Sequence, residues 1–278
     1  MHPARNQPSL MPARLTVHSS PDALGDAIAS SILAGIERAN DSRSRFLLGA
    51  PTGRTPRPIL AALATQLAAR PRDLSRVTLV MMDEYLVARG GKLVAAPRDS
   101  DFGCHAYVWR EYLPAFNASL SRDARLREES VWFPDPDDPA EYDRRIADAG
   151  GIDFFVLASG ASDGHVAFNQ PGSPRDSGTR VVPLSDATRR DNLATHPAFG
   201  SLENVPKFGV TVGIATIASA RAAAMVVWGA GKRETLRRLS AATHYDPQWP
   251  ATVVHEVAAG QIIADDEAAA GSGVQPVA

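Results

Sequence analysis

Short runs of almost wholly apolar residues recur along the chain and constrain its fold more than any other feature. Runs of this length and character are typical of strands that are buried on both faces, as in parallel sheets covered by helices. They occupy Phe46–Ala50, Val77–Met82, Asp153–Ala158, Phe208–Val212 and Ala223–Trp228. We therefore predict an α/β fold with an open, mostly parallel sheet and helices on both of its faces.

Helical patterns lie before, between and after these runs. Apolar residues recur at helical spacing in Asp22–Asn40, Ala140–Ala149 and Lys232–Ala241. Neither an internal repeat nor a linker interrupts the pattern. We predict a disordered leader over residues 1–14, a single domain over residues 15–270 and a disordered tail over residues 271–278.

Charge and cysteine content exclude several classes of protein. The 278 residues carry a formal net charge of −2, which argues against nucleic acid or an anionic membrane surface as the main partner. No run approaches the roughly 20 apolar residues of a membrane span. The single cysteine, Cys104, can form neither an internal disulfide nor a cysteine zinc site. We predict a cytoplasmic protein whose partner is a small molecule, and leave open whether it forms a homo-oligomer.

Polar loops follow three of the predicted strands, and in open α/β sheets ligands bind beyond the carboxyl ends of the strands. The first loop reads PTGRTP and precedes a helical pattern. Gly53 permits a turn in which successive backbone N–H groups point one way. Thr52 and Thr55 add hydroxyls and Arg54 a guanidinium, all suited to phosphate. The loop equally fits a plain helix start with Pro56 at its first position, so both interpretations stay open here.

The second and third loops carry ionisable side chains directly after buried runs. Asp83 and Glu84 follow the second run, where burial and a like-charged neighbour favour a general base. An isolated acidic pair is more often a solvated pair or a helix cap. Asp163 and His165 flank a glycine after the third run. A carboxylate close to an imidazole fixes its tautomer and favours its protonated form, so this pair is the sharpest indication of a catalytic site.

Taken together, the loops resemble those of glucosamine-6-phosphate deaminases. The motifs that carry the resemblance are PTGRTP, MDEY, DGHVAFNQPGS, TRVVPLSDATRRDN, VPKFGVTVGIAT, WGAGK and DDEAA. They run in order from about Leu47 to Ala268. The resemblance implies a Rossmann-like fold of the sugar-phosphate isomerase type. The wider superfamily also contains 6-phosphogluconolactonases and the sugar-phosphate-sensing domains of transcription regulators.

For the phosphate, the resemblance implies a set of binding residues, and the chain departs from the family at two positions. The implied residues are Thr52, Gly53, Thr55 and Lys232. A phosphate-contacting arginine of family members falls at or near Ala194 here, whereas Arg54 occupies a position that usually holds Gly or Ser. We hypothesise that Arg54 supplies the missing cation from another direction.

For the chemistry, the resemblance implies that Asp83 moves a proton between C2 and C1 of an amino-sugar 6-phosphate. His165, supported by Asp163, would open the sugar ring, and ammonia would leave C2 to give a ketose 6-phosphate. Proton transfers alone form the enolamine, so neither a metal nor an organic cofactor is expected. Family members carry a glutamate of the histidine's proton relay where this chain has Gln170. A glutamine can hydrogen-bond an imidazole, but it cannot exchange protons with it.

Two other functions remain open beside the deaminase. In a sugar-phosphate lactonase, His165 would activate water against an ester carbonyl, and that chemistry needs no glutamate at position 170. A catalytically weak sugar-phosphate sensor would need neither Asp83 nor His165; this chain has both, which argues against that alternative. Among amino sugars, glucosamine 6-phosphate is the default substrate, and galactosamine 6-phosphate is the other that we consider.

Overall fold

The computed structural model describes residues 12–273, which form one large sheet, one small sheet and the helices around them. The strands are β1 (Arg14–His18), β2 (Phe46–Ala50), β3 (Val77–Met81), β4 (Asp83–Arg89), β5 (Lys92–Ala95), β6 (Val131–Trp132), β7 (Phe154–Ala158), β8 (Arg180–Pro183), β9 (Phe208–Thr211), β10 (Ala222–Val227) and β11 (Ala259–Asp265). The α-helices are α1 (Pro21–Asp41), α2 (Arg57–Ala69), α3 (Cys104–Tyr107), α4 (Leu113–Asn117), α5 (Pro139–Asp148), α6 (Asp186–Thr195), α7 (Ile214–Ala218), α8 (Arg233–Ala241) and α9 (Asp266–Ala269). A π-helical turn, Val108–Tyr112, joins α3 to α4.

The large sheet has seven strands in the order β1-β11-β10-β7-β2-β3-β6, and all of its neighbouring strands pair in parallel. Four of the five predicted apolar runs form its central strands β10, β7, β2 and β3. Because these strands have neighbours on both edges and helices on both faces, they need apolar side chains in every direction. The predicted α/β fold is confirmed.

Successive side chains of the central strands enter two separate hydrophobic cores. Leu48 packs with α1, α2 and α4, whereas its neighbour Leu47 packs with α5, α7 and α8. Val156 and Phe155 of β7 divide between the same two cores. This alternation follows from the two-residue period of a strand, and it explains why an uninterrupted apolar run is required.

The fifth apolar run belongs to the small sheet, so its expected place among the parallel strands is wrong. It forms β9, which pairs antiparallel with β4 and β8 in the order β5-β4-β9-β8. One end of this sheet is open to solvent, since Phe208 is 37% exposed. Met82 is the corner between the sheets: its N–H donates to the Ala50 carbonyl and its carbonyl accepts from Val212 N–H. Asp83 therefore opens a strand rather than a loop.

The sequence prediction also missed two strands at the far side of the large sheet. β1 and β11 pair in parallel, with Arg14 opposite Gln261. The disordered leader predicted over residues 1–14 is too long, because Arg14 begins β1. Just before this strand, Ala13 N–H donates to His255 Nδ1 at 3.0 Å. The rest of that leader, residues 1–11, and residues 274–278 of the predicted tail lie outside the described residues.

Candidate active site

A cavity of about 420 Å³ opens at the carboxyl ends of the central strands. The segments after β2, β3, β7 and β10 line it, and α6 closes one side. This is where the strand arrangement of an open α/β sheet places a ligand. All five predicted phosphate-binding residues line the cavity: Thr52, Gly53, Arg54, Thr55 and Lys232. Asp83 and His165 line it as well, so the sheet brings together the three predicted loops.

Two buried tyrosines fix the loop after β2 from behind. Tyr107 donates to the Gly53 carbonyl at 2.6 Å, and Tyr112 donates to the Pro51 carbonyl at 2.7 Å. Gly53 has a φ of 89°, in the left-handed region that favours glycine. Helix α2 begins at Arg57, just beyond this turn, so its amino end adds a positive dipole. The geometry suits an anion.

Lys232 supplies a cation to the same cavity from the segment before α8. Its Nζ donates to the Ser159 carbonyl, and burial lowers its pKa to about 8, with opposing contributions from nearby Asp191 and Arg54. A lysine so placed keeps its charge at neutral pH and loses it in mildly alkaline solution.

Asp83 lies on the cavity wall as a nearly inaccessible carboxylate, 6% exposed. Burial raises its pKa to about 7; a hydrogen bond from Cys104 Sγ to Oδ1, 3.4 Å long, acts in the opposite direction. The charge of Glu84 raises the pKa further and that of His165 lowers it. A carboxylate with such a pKa is suited to both accept and return a proton near neutral pH.

Glu84, the other member of the acidic pair, is turned away from the cavity and fully buried. Its carboxylate accepts from the N–H groups of Tyr85, Cys104 and His105 at 2.8 to 3.0 Å. It also pairs with His105 Nδ1 at 2.7 Å. Glu84 thus caps α3, and the two neighbouring carboxylates have separate tasks because the strand alternation points them in opposite directions.

The pair Asp163 and His165 is joined as predicted. His165 Nδ1 lies 2.6 Å from Asp163 Oδ1, which also accepts the His165 N–H at 3.1 Å. Burial opposes ionisation of Asp163, but hydrogen bonds from His165 and Thr188 and the histidine's charge outweigh it and lower its pKa to about 2. A Cβ at Gly160 would lie 2.2 Å from His165 Nδ1, so only glycine leaves room for the ring.

Of the three predicted residues of this loop, His165 lines the cavity, whereas Asp163 lies behind it and Gln170 is not on the cavity wall. Its Nε2 donates to the Pro183 carbonyl and its Oε1 accepts from Ser185 N–H. The amide therefore bridges the end of β8 and the start of α6. Because both of its polar atoms are engaged with backbone, the expected contact of Gln170 with the imidazole is absent from this arrangement.

The sequence prediction missed the contribution of α6. Asp191, Thr195 and His196 line the cavity from this helix and its end. Asp191 Oδ2 accepts from Ala161 N–H at 3.0 Å and from Ser162 N–H at 3.2 Å. The motif TRRDN is part of the family pattern, but its sequence carries no signal that places Asp191 beside residues 160–170.

Three side chains lie close enough to share a cation. Ligand atoms of Asp163, His165 and Asp191 lie within 4.8 Å of one another. His165 Nδ1 and Asp191 Oδ2 are engaged in the hydrogen bonds described above. These atoms are therefore already engaged, Asp163 and His165 with each other and Asp191 with the backbone of Ala161 and Ser162, and the expectation that the reaction needs no metal stays a prediction.

Comparison with known proteins gives a consistent relationship. A family model described as glucosamine-6-phosphate isomerases/6-phosphogluconolactonase matches residues 19–263. The chain belongs to this family. It is 33% identical over 256 residues to a glucosamine-6-phosphate deaminase of Streptomyces avermitilis, covering 88% of this chain and 87% of the relative. A glucosamine-6-phosphate deaminase of Shouchella clausii is 32% identical over 231 residues, covering 81% of this chain and 85% of the relative.

Solved structures of the family share the fold. A monomeric glucosamine-6-phosphate deaminase has a TM-score of 0.77 at 24% identity, covering 92% of this chain and 99% of its own. A 6-phosphogluconolactonase from Trypanosoma cruzi has a TM-score of 0.67 at 18% identity, covering 95% of this chain and 98% of its own. Within residues 12–273, none of the helices combines the length and apolar character needed to span a bilayer.

Proposed function

We propose that this protein converts an amino-sugar 6-phosphate, with glucosamine 6-phosphate as the default, to a ketose 6-phosphate and ammonia. The observation that carries the proposal is the placement of Asp83, His165 and an anion-binding loop around one cavity. The loop at residues 52–55 lies at one side, and the acid–base residues lie at the strand ends beside it. The curated relatives named above are glucosamine-6-phosphate deaminases, which supports the same substrate class.

The first step is ring opening, and His165 is the residue placed for it. Asp163 accepts a hydrogen bond from Nδ1, which leaves Nε2 to donate a proton to the ring oxygen. As the ring C–O bond breaks, a water molecule takes up the proton of the C1 hydroxyl, and C1 becomes a carbonyl carbon. The Asp163 carboxylate stabilises the imidazolium because its pKa of about 2 keeps it ionised throughout the neutral range.

The second step is proton transfer by Asp83. Its carboxylate removes the proton from C2 to give an enolamine, and returns a proton to C1 to give an imine at C2. Water adds to C2, and ammonia leaves, so the ketose 6-phosphate keeps the oxygen of that water. A pKa of about 7 makes Asp83 competent in both directions of transfer.

Lactone hydrolysis is the second candidate function, because 6-phosphogluconolactonases share the fold. That reaction would use His165 to activate water and would leave the C2–H bond intact. Asp83 separates the two candidates, since only the deaminase needs a base at C2. Cytoplasmic location and oligomeric state stay predictions.

The test is release of ammonia and fructose 6-phosphate from glucosamine 6-phosphate, beside hydrolysis of 6-phosphogluconolactone. The wild-type protein should release both products in equal amounts, and Asp83→Asn should lose at least about a thousandfold in rate, because it lacks the base. Hydrolysis of the lactone with no ammonia from either glucosamine 6-phosphate or galactosamine 6-phosphate would contradict the proposal.

A further inference from the structure

Asp191 holds a fixed position beside the catalytic loop although it belongs to a different element. It lies in α6, and its Oδ2 accepts three hydrogen bonds across that loop, from Ala161 N–H and from the N–H and Oγ of Ser162, at 3.0 to 3.2 Å. One of its oxygens also lies within 4.8 Å of both an Asp163 oxygen and a nitrogen of the His165 ring. A carboxylate held so close to an imidazole favours the protonated ring.

The start of α6 is tied to the same loop, which fixes the register of Asp191. Ser185 caps the helix by accepting Thr188 N–H at 3.1 Å, and Thr188 Oγ1 donates to Asp163 Oδ2 at 3.0 Å. Gln170 bridges Pro183 and Ser185 from the far end of the loop. The bonds from Thr188 to Asp163 and from Ser185 to Gln170 join the start of α6 to residues 160–170, so helix and loop position their side chains as one unit.

Charged groups approach His165 from every element that surrounds it. Asp163 comes from its own loop, Asp191 from α6 and Asp83 from β4, while Lys232 lies before α8. Arg54, after β2, contributes a further positive charge close to Lys232. The carboxylates of Asp163 and Asp191, together with Asp83 when it is ionised, offset the two cations, and Gln170 adds no charge to this balance.

We propose that Asp191 is a positioning residue for ring opening: its carboxylate adds to the negative charge that Asp163 places beside His165 and favours the protonated imidazole. The role rests on the proposed function, in which that proton passes to the ring oxygen. It assigns to α6 an electrostatic task that the uncharged, backbone-bound amide of Gln170 cannot perform.

The test compares Asp191→Asn with Asp186→Asn, a matched substitution in the exposed first turn of the same helix. The Asn amide oxygen still accepts from Ala161 and Ser162, so the loop contact is retained and the charge is lost. In protein with ¹⁵N-labelled histidine, the ratio of imidazolium to imidazole for His165 at neutral pH should fall about tenfold in Asp191→Asn. The signal is assigned by its loss in His165→Gln. Asp186→Asn should leave the ratio unchanged.

Two further variants separate charge from structure. Asp191→Glu should restore most of the ratio, because it keeps the charge; Asp191→Ser, which keeps a hydroxyl acceptor, should lower it as Asn does and serves if Asn does not fold. With glucosamine 6-phosphate, kcat/KM of Asp191→Asn at neutral pH should fall about tenfold. The alkaline limb of its pH profile should move to lower pH, because the imidazole loses its proton more readily.

The spectroscopic readout needs no substrate, so the two proposals can fail separately. An unchanged His165 ratio in Asp191→Asn would overturn the role of Asp191 even if the wild-type protein releases ammonia. A wild-type protein that releases no ammonia would overturn the proposed function, and with it the ring-opening role, whatever the ratio shows.

Discussion

At the scale of single residues, the account depends on the protonation of Asp83. Its pKa of about 7 arises from burial and is lowered by the Cys104 hydrogen bond. Since the base must be deprotonated, kcat/KM should fall as the pH drops through about 7. Cys104→Ala removes the donor, so the acid limb of the pH profile should move to higher pH, whereas Cys104→Ser, which keeps a donor, should leave it close to the wild-type position. A limb that moves to lower pH in Cys104→Ala would contradict this assignment.

The same burial means that ionised Asp83 lowers the free energy of unfolding of the protein. Its pKa is raised from 3.8 to about 7 in the folded state. The free energy of unfolding of the wild-type protein is therefore undiminished by Asp83 below pH 3.8 and falls progressively as the pH rises to about 7. Asp83→Asn should therefore gain free energy of unfolding over wild type across this window, reaching a few kcal/mol above pH 7. Urea unfolding at several pH values measures the difference. A difference that does not depend on pH would contradict it.

At the scale of elements, Gln170 connects β8 to α6 rather than serving the imidazole. In Gln170→Glu the acceptor for Ser185 N–H is kept, but the donor to the Pro183 carbonyl is replaced by a second acceptor. We expect a loss of about 1 kcal/mol in the free energy of unfolding and no gain in deamination rate. Gln170→Met, of similar length without polar atoms, is the control for charge. A faster deamination in Gln170→Glu would show that a carboxylate at this position reaches His165.

The strands show which parts of this fold can be predicted from the sequence and which cannot. The runs at β2, β3, β7 and β10 could be predicted because a strand buried on both faces needs apolar side chains throughout. β9 is predicted in the wrong sheet because a strand of four residues does not show in its sequence which strands it pairs with. β11 begins with Ala259, Gly260 and Gln261, which blur its pattern, although its burial in the second half is nearly complete.

In the candidate site, the residues that carry the chemistry could be predicted from sequence, whereas the contacts of Gln170 and Asp191 could not. Asp83, Asp163 and His165 could be found because they lie in the segments that follow buried strands, and the carboxyl ends of parallel strands meet at the same edge of a sheet. The position of Gln170 could not, since its partners Pro183 and Ser185 are reached only through the fold. The place of Asp191 could not be predicted for the same reason, because its neighbours Ala161 and Ser162 are 30 and 29 residues away in sequence.

At the scale of the whole molecule, one cavity holds both the acid–base residues and the two cations Arg54 and Lys232, which we propose to share the phosphate. Burial lowers the pKa of Lys232 to about 8, so its charge is lost as the pH rises above 8. Arg54→Ala should raise KM about tenfold at neutral pH and more steeply above pH 8, where Arg54 is the remaining cation of the pair. Arg70→Ala, at the opposite end of α2 and outside the cavity lining, is the control. An unchanged KM in Arg54→Ala would show that this arginine does not replace the cation missing at Ala194.

The most direct test of the central claim follows the hydrogen at C2. Glucosamine 6-phosphate carrying deuterium at C2 is incubated with the wild-type protein and with Asp83→Asn, and the products are examined by NMR. The account predicts that the wild-type protein forms a ketose 6-phosphate whose C2 has lost its deuterium, to C1 or to solvent, with a slowed rate relative to the undeuterated sugar. Asp83→Asn should leave the substrate intact. Turnover that retains deuterium at C2, or that continues in Asp83→Asn, would contradict proton abstraction by Asp83.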